Sequence, residues 1–400
     1  MPIDHRSGFG RTAQALALSA LVVLGVAGVS AAQAQTAPEP VLIGVSGPLT
    51  GPQAQYGAQW KKGFDLALDE VNAKKAGAKD AAGGRPLKVV FEDSQNDPRQ
   101  AVAIAQKFVS DPKIVIELGD FASPTSMAAS PIYQRGELVQ LGFTNSHPDF
   151  TKGGDYIWSN STSQAEEAPL LADYAVNGLS LKRLAVLHLN TDWGRTSKDL
   201  FVKAAQDRGA QVVVTEGYLA DEKDFRSTLV RVREANPDGV ILISYYADGA
   251  AISRQLRPVG LTQPVVAVGS VYSPKFLELG GDAVNGVHTT TRFFPAEPRP
   301  EVQDYVARYR AKYGEDPDVF STYAYDSIIL VNELVSRYGA ERKAIHDGLA
   351  KVDGVPSVIF GPVKFDVEAR RIYGIRSVKL VVKDGAFTQW DGNKPVASAN

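Results

Sequence analysis

Cysteine is absent from the 400 residues. That excludes disulfides, zinc–thiolate sites, iron–sulfur clusters and thiol nucleophiles together. Five histidines and two methionines leave little material for metal or imidazole chemistry. A charge excess is lacking too, since 43 Lys and Arg stand against 45 Asp and Glu for a net charge of −2. With no basic excess to meet a phosphate backbone, nucleic acid is not an expected partner. No apolar run reaches the ~20 residues a membrane-spanning helix needs. What is present is an ordinary globular composition, 44% hydrophobic and 22% charged. The length exceeds one compact core and suits two domains.

The N-terminus reads as an export signal. Arg6 and Arg11 form a basic region, an apolar run follows from Ala15 to Val29, and Ala32-Gln33-Ala34 fits the small-x-small cleavage rule. The expectation is a signal peptide over residues 1–34, cleaved after Ala34, then a flexible mature start at 35–40. No cysteine is available for a lipid anchor, so a soluble product in the periplasm is expected.

From Val41 onward, short Val/Ile/Leu-rich runs alternate with amphipathic segments. The runs are Val41–Val45, Leu87–Glu92, Ile114–Leu118, Leu138–Gly142, Leu184–Leu189, Val212–Gly217, Val240–Ser244 and Val265–Val268. Near-continuous apolar runs are what strands buried on both faces of a parallel sheet require. Trp60, Phe64, Ala67, Leu68 and Val71 form one helical stripe, and Asp97-Pro98 caps and opens another helix reaching about Ser110. Eight such units predict an α/β protein of two doubly wound α/β lobes. After Val363, strand-like runs with no intervening helix predict an antiparallel C-terminal appendage. Ser159–Ser163 is the nearest approach to a boundary, and without a loose linker the lobes are expected to be joined by crossover strands that act as a hinge.

Several chemistries lack their motifs. No strand is followed by Gly-x-Gly-x-x-Gly, and there is no phosphate-binding Gly-Lys-Ser/Thr or Gly-x-Ser-x-Gly elbow. His147, His188, His288 and His346 show no metal-ligand spacing, so neither a metal nor a cofactor is expected. A secreted hydrolase stays open only through Ser123 or Ser146 beside His147.

The order Ile43-Gly44-Val45-Ser46-Gly47-Pro48-Leu49-Thr50-Gly51-Pro52, Tyr56-Gly57, Glu92–Pro98, Asp192-Trp193-Gly194, Lys223-Asp224-Phe225, Gly239–Tyr246 and Thr322–Asp326 resembles the leucine/isoleucine/valine-binding class of periplasmic solute-binding proteins that serve ABC importers. The resemblance covers Val41 to Trp390. It implies a type I bilobed flytrap with three crossovers. Lobe 1 would hold residues 41–162 plus about 291–361, lobe 2 residues 163–290 plus about 362–392, and residues 393–400 a polar tail. It also implies a small-molecule solute, delivery by a monomer to an inner-membrane permease with its ATPase subunits, and no catalysis. A ligand-sensing regulator of the same fold is the alternative.

Two loops and a set of aromatics form the candidate site. Ser123 and Thr125 lie where a strand leads into a helix whose free N–H groups suit a carboxylate. Thr144, Asn145 and Ser146 follow the next strand. By resemblance, Ser123 and Ser146 hold the ligand's α-carboxylate and α-ammonium. Tyr56, Trp193, Tyr245 and Tyr246, read as loop or strand-end residues, match the family's pocket walls. Val271 stands where the family carries a glutamate for the ammonium, with Asp120, Asp192 or Asp248 as possible substitutes. The solute is therefore a branched-chain or other amino acid, or an aromatic or aliphatic carboxylate.

Overall fold

The computed structural model describes residues 38–75, 78–372, 374, 377–390 and 392. The export segment 1–34 and the tail 393–400 lie outside the described residues. The chain opens with β1 (Val41–Gly47), α1 (Ala54–Lys75), β2 (Leu87–Asp93), α2 (Pro98–Ser110), β3 (Ile114–Leu118), α3 (Ser123–Arg135), β4 (Gln140–Gly142) and β5 (Ile157–Ser159). It continues with α4 (Gln164–Asp173), β6 (Arg183–Leu189), α5 (Asp192–Gln206), β7 (Gln211–Tyr218), α6 (Arg226–Glu234), β8 (Gly239–Ile243), α7 (Tyr246–Leu256), β9 (Val265–Ala267), α8 (Pro274–Gly280) and β10 (Val287–Thr291). Three helices follow, α9 (Pro300–Tyr313), α10 (Val319–Tyr338) and α11 (Arg342–Leu349). The last strands are β11 (Asp353–Val355), β12 (Val363–Asp366), β13 (Arg371–Ile372), β14 (Val378–Lys383) and β15 (Ala386–Gln389).

The strands form two sheets, one ordered β11-β12-β13-β5-β4-β3-β1-β2 and the other β15-β14-β10-β9-β8-β6-β7. Each is the spine of an α/β lobe. The pairs β1–β2, β1–β3, β3–β4, β6–β7, β6–β8 and β8–β9 are parallel. β3 and β8 are buried at every position, which explains their apolar sequences, broken in β3 only by Glu117. Helix α2 starts as its sequence dictates: Asp97 accepts from the N–H groups of Arg99 and Gln100, and Pro98 takes the first turn.

The C-terminal strands differ from the expectation. They do not form one appendage, and the segment 362–392 does not belong wholly to lobe 2. β12 pairs antiparallel with β11 and β13, and β13 pairs parallel with β5, so these strands widen the first sheet. Only β14 and β15 enter the second sheet, β14 lying antiparallel to both β10 and β15. The chain thus passes between the sheets after β5, after β10 and after β13. β10 escaped the sequence reading because it is Val-His-Thr-Thr-Thr, strand-forming but not apolar.

Arg371, on β13, braces this crossing region. Its guanidinium donates to the carbonyls of Asn145, His147 and Ser161 and to Ser159 Oγ, at 2.9–3.0 Å. Burial among acceptors without a paired carboxylate lowers its pKa to about 10.

Candidate functional site

The carboxyl ends of the parallel strands of both sheets face one cleft, the position where open α/β sheets place ligands. Between them lies a cavity of about 120 Å³. Lobe 1 supplies Ser123, Thr144, Ser146 and Phe320; lobe 2 supplies Trp193, Phe201, Tyr245 and Ser270; Arg292 comes from the crossing that follows β10. Five of the ten expected residues therefore line it: Ser123, Thr144, Ser146, Trp193 and Tyr245.

Their hydrogen bonds leave a donor-rich corner. Ser123 Oγ accepts the backbone N–H of His147 at 3.2 Å, and Ser146 Oγ accepts Trp193 Nε1–H at 3.2 Å. Each hydroxyl thus spends a lone pair on the protein and keeps its proton for a guest. Ser123 also opens α3, whose N-cap Ala122 provides no side-chain cap. The indole of Trp193 stacks on Tyr245, ring centroids 5.0 Å apart and planes 15° from parallel. That pair gives the cavity a flat apolar wall.

The other expected residues support the cavity without lining it. Tyr56 and Tyr246 sit in the first turns of α1 and α7, as the lining Trp193 does in α5, and not in loops. Tyr56 stacks on Phe121 at 4.0 Å and meets Tyr246 and Phe320 edge-on. Its hydroxyl donates to the Ser270 carbonyl at 2.7 Å and accepts Tyr246 N–H at 3.3 Å, so one buried phenol links the lobes. Tyr246 Oη donates to the Pro52 carbonyl at 2.6 Å. Thr125 donates to Asn96, and Asn145 donates to Ser126 Oγ at 2.7 Å, tying the β4 loop to α3. Val271 is fully buried in the lobe 2 core, and its neighbour Ser270 lines the cavity instead.

Two glycines explain the aromatic placement. A Cβ on Gly57 would come within 2.1 Å of the Pro48 carbonyl oxygen, and one on Gly194 within 1.9 Å of the Leu189 carbonyl oxygen. Only glycine lets these helix starts lie so close to the strand ends, and each sits next to a site aromatic, Tyr56 or Trp193.

Asp120, Asp192 and Asp248 do not face the cavity; the carboxylate that does is Glu167 on α4, beside Arg292. Arg292 Nη2 lies 3.0 Å from Glu167 Oε1, and Thr162 Oγ1 donates to that same oxygen at 2.8 Å. Both charged residues escaped the sequence reading. Arg292 follows β10, which was not recognised, and Glu167 sits in α4, which the sequence reading did not single out. Asp120 lies behind the site, where burial raises its carboxyl to about 6, and burial holds Glu117 well above the usual carboxylate range.

His147 closes one rim of the cleft. Its Nδ1 accepts Asp149 N–H at 3.1 Å, so Nε2 carries the proton and meets Thr196 Oγ1 at 3.0 Å and Asp192 Oδ2 at 3.3 Å across the lobes. Asp192 and the hydroxyl share one ring nitrogen, which is not the arrangement of a nucleophile–base–acid relay. Ser123 meets the backbone of His147 and not its ring. Among the described residues no group of acidic or histidine side chains is placed to hold a metal, and no helix is long and apolar enough to cross a membrane.

Known proteins share this architecture. A family model described as periplasmic binding protein matches residues 40–392. Leu/Ile/Val-binding protein homolog 1 of Brucella abortus (strain 2308) is 25% identical over 333 residues, 82% of this chain and 86% of that protein. The structure of a putative branched-chain amino acid ABC transporter from Rhodospirillum rubrum is 36% identical with a TM-score of 0.64, covering 87% of this chain and 99% of that one. A solute-binding protein of an ABC transporter from Rhodopseudomonas palustris BisB5, in complex with 3,4-dihydroxybenzoic acid, superposes with a TM-score of 0.76 at 24% identity, covering 89% and 98%. With its two-lobed fold, its cleft at the strand ends and a family match spanning nearly all the described residues, the chain belongs to the periplasmic binding protein family.

Proposed function

We propose that the protein is the solute-binding component of an ABC importer and that its cleft captures a small solute through a carboxylate. The observation that carries this reading is the pair of cavity hydroxyls, Ser123 and Ser146, each engaged as an acceptor and so left to donate. Two O–H donors beside the first turn of α3 suit an anion, and the Trp193–Tyr245 wall suits an apolar body. An amino acid and an aromatic or aliphatic carboxylate both meet these demands. Contacts from both lobes favour the closed form, and closure presents the loaded protein to an inner-membrane permease driven by its ATPase subunits. The protein acts as a periplasmic monomer, cleaved after Ala34, and works by binding and release without catalysis.

A thermal-shift panel of amino acids and carboxylates, followed by calorimetry, tests the reading. A bound solute raises the midpoint by mass action. Ser123→Ala is expected to weaken the solute found by about 1–3 kcal/mol through a lost hydrogen bond to charge. A solute that binds Ser123→Ala as tightly as wild type removes this residue from the site.

A further inference from the structure

The cavity has a second polar end of different chemistry. Ser123 follows β3, Ser146 follows β4, and Ser161 and Thr162 follow β5; these strands are consecutive neighbours in the first sheet. Two strand spacings separate the first from the last, about 10 Å. At the β5 end, Glu167 and Arg292 line the cavity as a bonded pair, with Arg292 Nε 3.3 Å from Thr162 Oγ1. Arg292 is only 5% exposed. The Gln164 amide is tied to the Trp193 carbonyl at 3.0 Å and to Ser197 Oγ, which fixes α4, and with it Glu167, against α5.

A guest group arriving at this end meets a cation and an anion already joined. A second carboxylate is repelled by Glu167, and an ammonium by Arg292. A purely apolar group strips water from both ions and returns no hydrogen bond. A neutral group that both donates and accepts, a hydroxyl or a carboxamide, satisfies each member without separating them. The hydroxyl end, by contrast, has two donors and no lining carboxylate, so the guest's own carboxylate goes there.

We propose that the Glu167–Arg292 pair selects bifunctional solutes: a carboxylate at the Ser123–Ser146 end and a neutral hydroxyl or carboxamide at the far end. This rests on the reading of the cleft as a carboxylate site. It adds a selectivity that neither end shows alone.

Calorimetry on the mature protein with two matched triads tests it. One triad is 4-hydroxybenzoate, 4-methylbenzoate and terephthalate; the other is glutamine, norleucine and glutamate. Each compares a neutral polar, an apolar and an anionic terminus, and the triads differ in whether the carboxylate comes with an amine. In whichever triad binds, the neutral polar member is expected to be at least ~10-fold tighter than both others. Glu167→Gln removes one negative charge, and is expected to raise the affinity of the anionic member at least ~10-fold relative to the polar one. An apolar or anionic member that binds wild type as tightly as the polar member overturns the selectivity and leaves the carboxylate site standing. Failure of all six to bind overturns the carboxylate reading and the selectivity with it.

Discussion

One of the bonds between the lobes runs through a single phenol, and Tyr56→Phe measures what it contributes. Tyr56 Oη is bonded at 2.7 Å to the Ser270 carbonyl and at 3.3 Å to Tyr246 N–H, one lobe reaching into the other, so this bond exists only while the lobes are together. Phenylalanine keeps the ring, its stack on Phe121 and its edge contacts with Tyr246 and Phe320. What it removes is the partner of a buried carbonyl and a buried N–H, at a cost of about 1–3 kcal/mol. Once the lobes part, water can meet both groups, so the loss falls on the closed form alone. Taking about 2 kcal/mol, the closure equilibrium shifts roughly 30-fold toward open. Apparent affinity scales with the fraction of protein competent to bind, so the dissociation constant rises by about the same factor. Calorimetry with the solute found in the panel reads that factor, and small-angle scattering reads the greater extension of the unliganded variant. The unfolding midpoint of the unliganded protein should stay within about 2 °C of wild type if the bond serves closure and not the lobes. An affinity within threefold of wild type, or a midpoint that drops with the affinity, refutes the reasoning.

Two further outcomes follow from the buried cations and histidines. Arg371→Met strips the donors from three carbonyls and a hydroxyl, and should cost at least ~3 kcal/mol, a midpoint drop of about 4 °C or more; a change below about 2 °C in calorimetric melting contradicts the bracing role. His288, whose Nδ1 is bonded to Tyr174 Oη at 2.8 Å, is lowered by burial to about 4. A histidine depressed in the native state binds its proton more readily when unfolded. Its contribution is therefore complete above the ordinary value of about 6.5 and is lost as the pH falls toward about 4, at most about 3 kcal/mol. Asp120, Asp318 and Asp326, each raised to about 6 by burial, act with the opposite sign. The difference in urea unfolding free energy between wild type and His288→Gln, followed from pH 7 to 4, isolates the histidine; a difference that does not change with pH shows that it titrates normally.

The sequence made the repeating unit plain, and each of the eight runs proved to hold a strand. The central ones, such as β3 and β8, are mostly apolar because they are buried on both faces, while the edge strands β2 and β7 are only partly buried. It hid β10 and the sheet that β12 and β13 would join. Thr289, Thr290 and Thr291 owe their place to hydrogen bonds with neighbours far along the chain, and nothing local to β13 says that its partner is β5 of the other sheet. The site followed the same division. Ser123, Thr144 and Ser146 were legible because loops after recognisable strands are where ligands go. Glu167 and Arg292 were not, since one needed the facing of a helix and the other an unrecognised strand. Val271 shows the limit of alignment by resemblance: one position along, Ser270 is the residue that meets the cavity.

The split of the last strands sets the order in which the protein becomes competent. A chain threaded N-terminus first into a new compartment has β6 to β10 in hand early. The flank of β10 that later receives β14 is then a row of unpaired amides and carbonyls, the kind of edge on which nascent chains join one another. That edge waits while α9, α10, α11 and three strands of the other sheet go by. Its polar Thr-Thr-Thr sequence is poor material for a sticky template, which suits so long an exposure. Neither lobe is a contiguous stretch of chain, so neither matures by itself. Only with β14 seated on β10 and β15 on β14 is the second sheet complete.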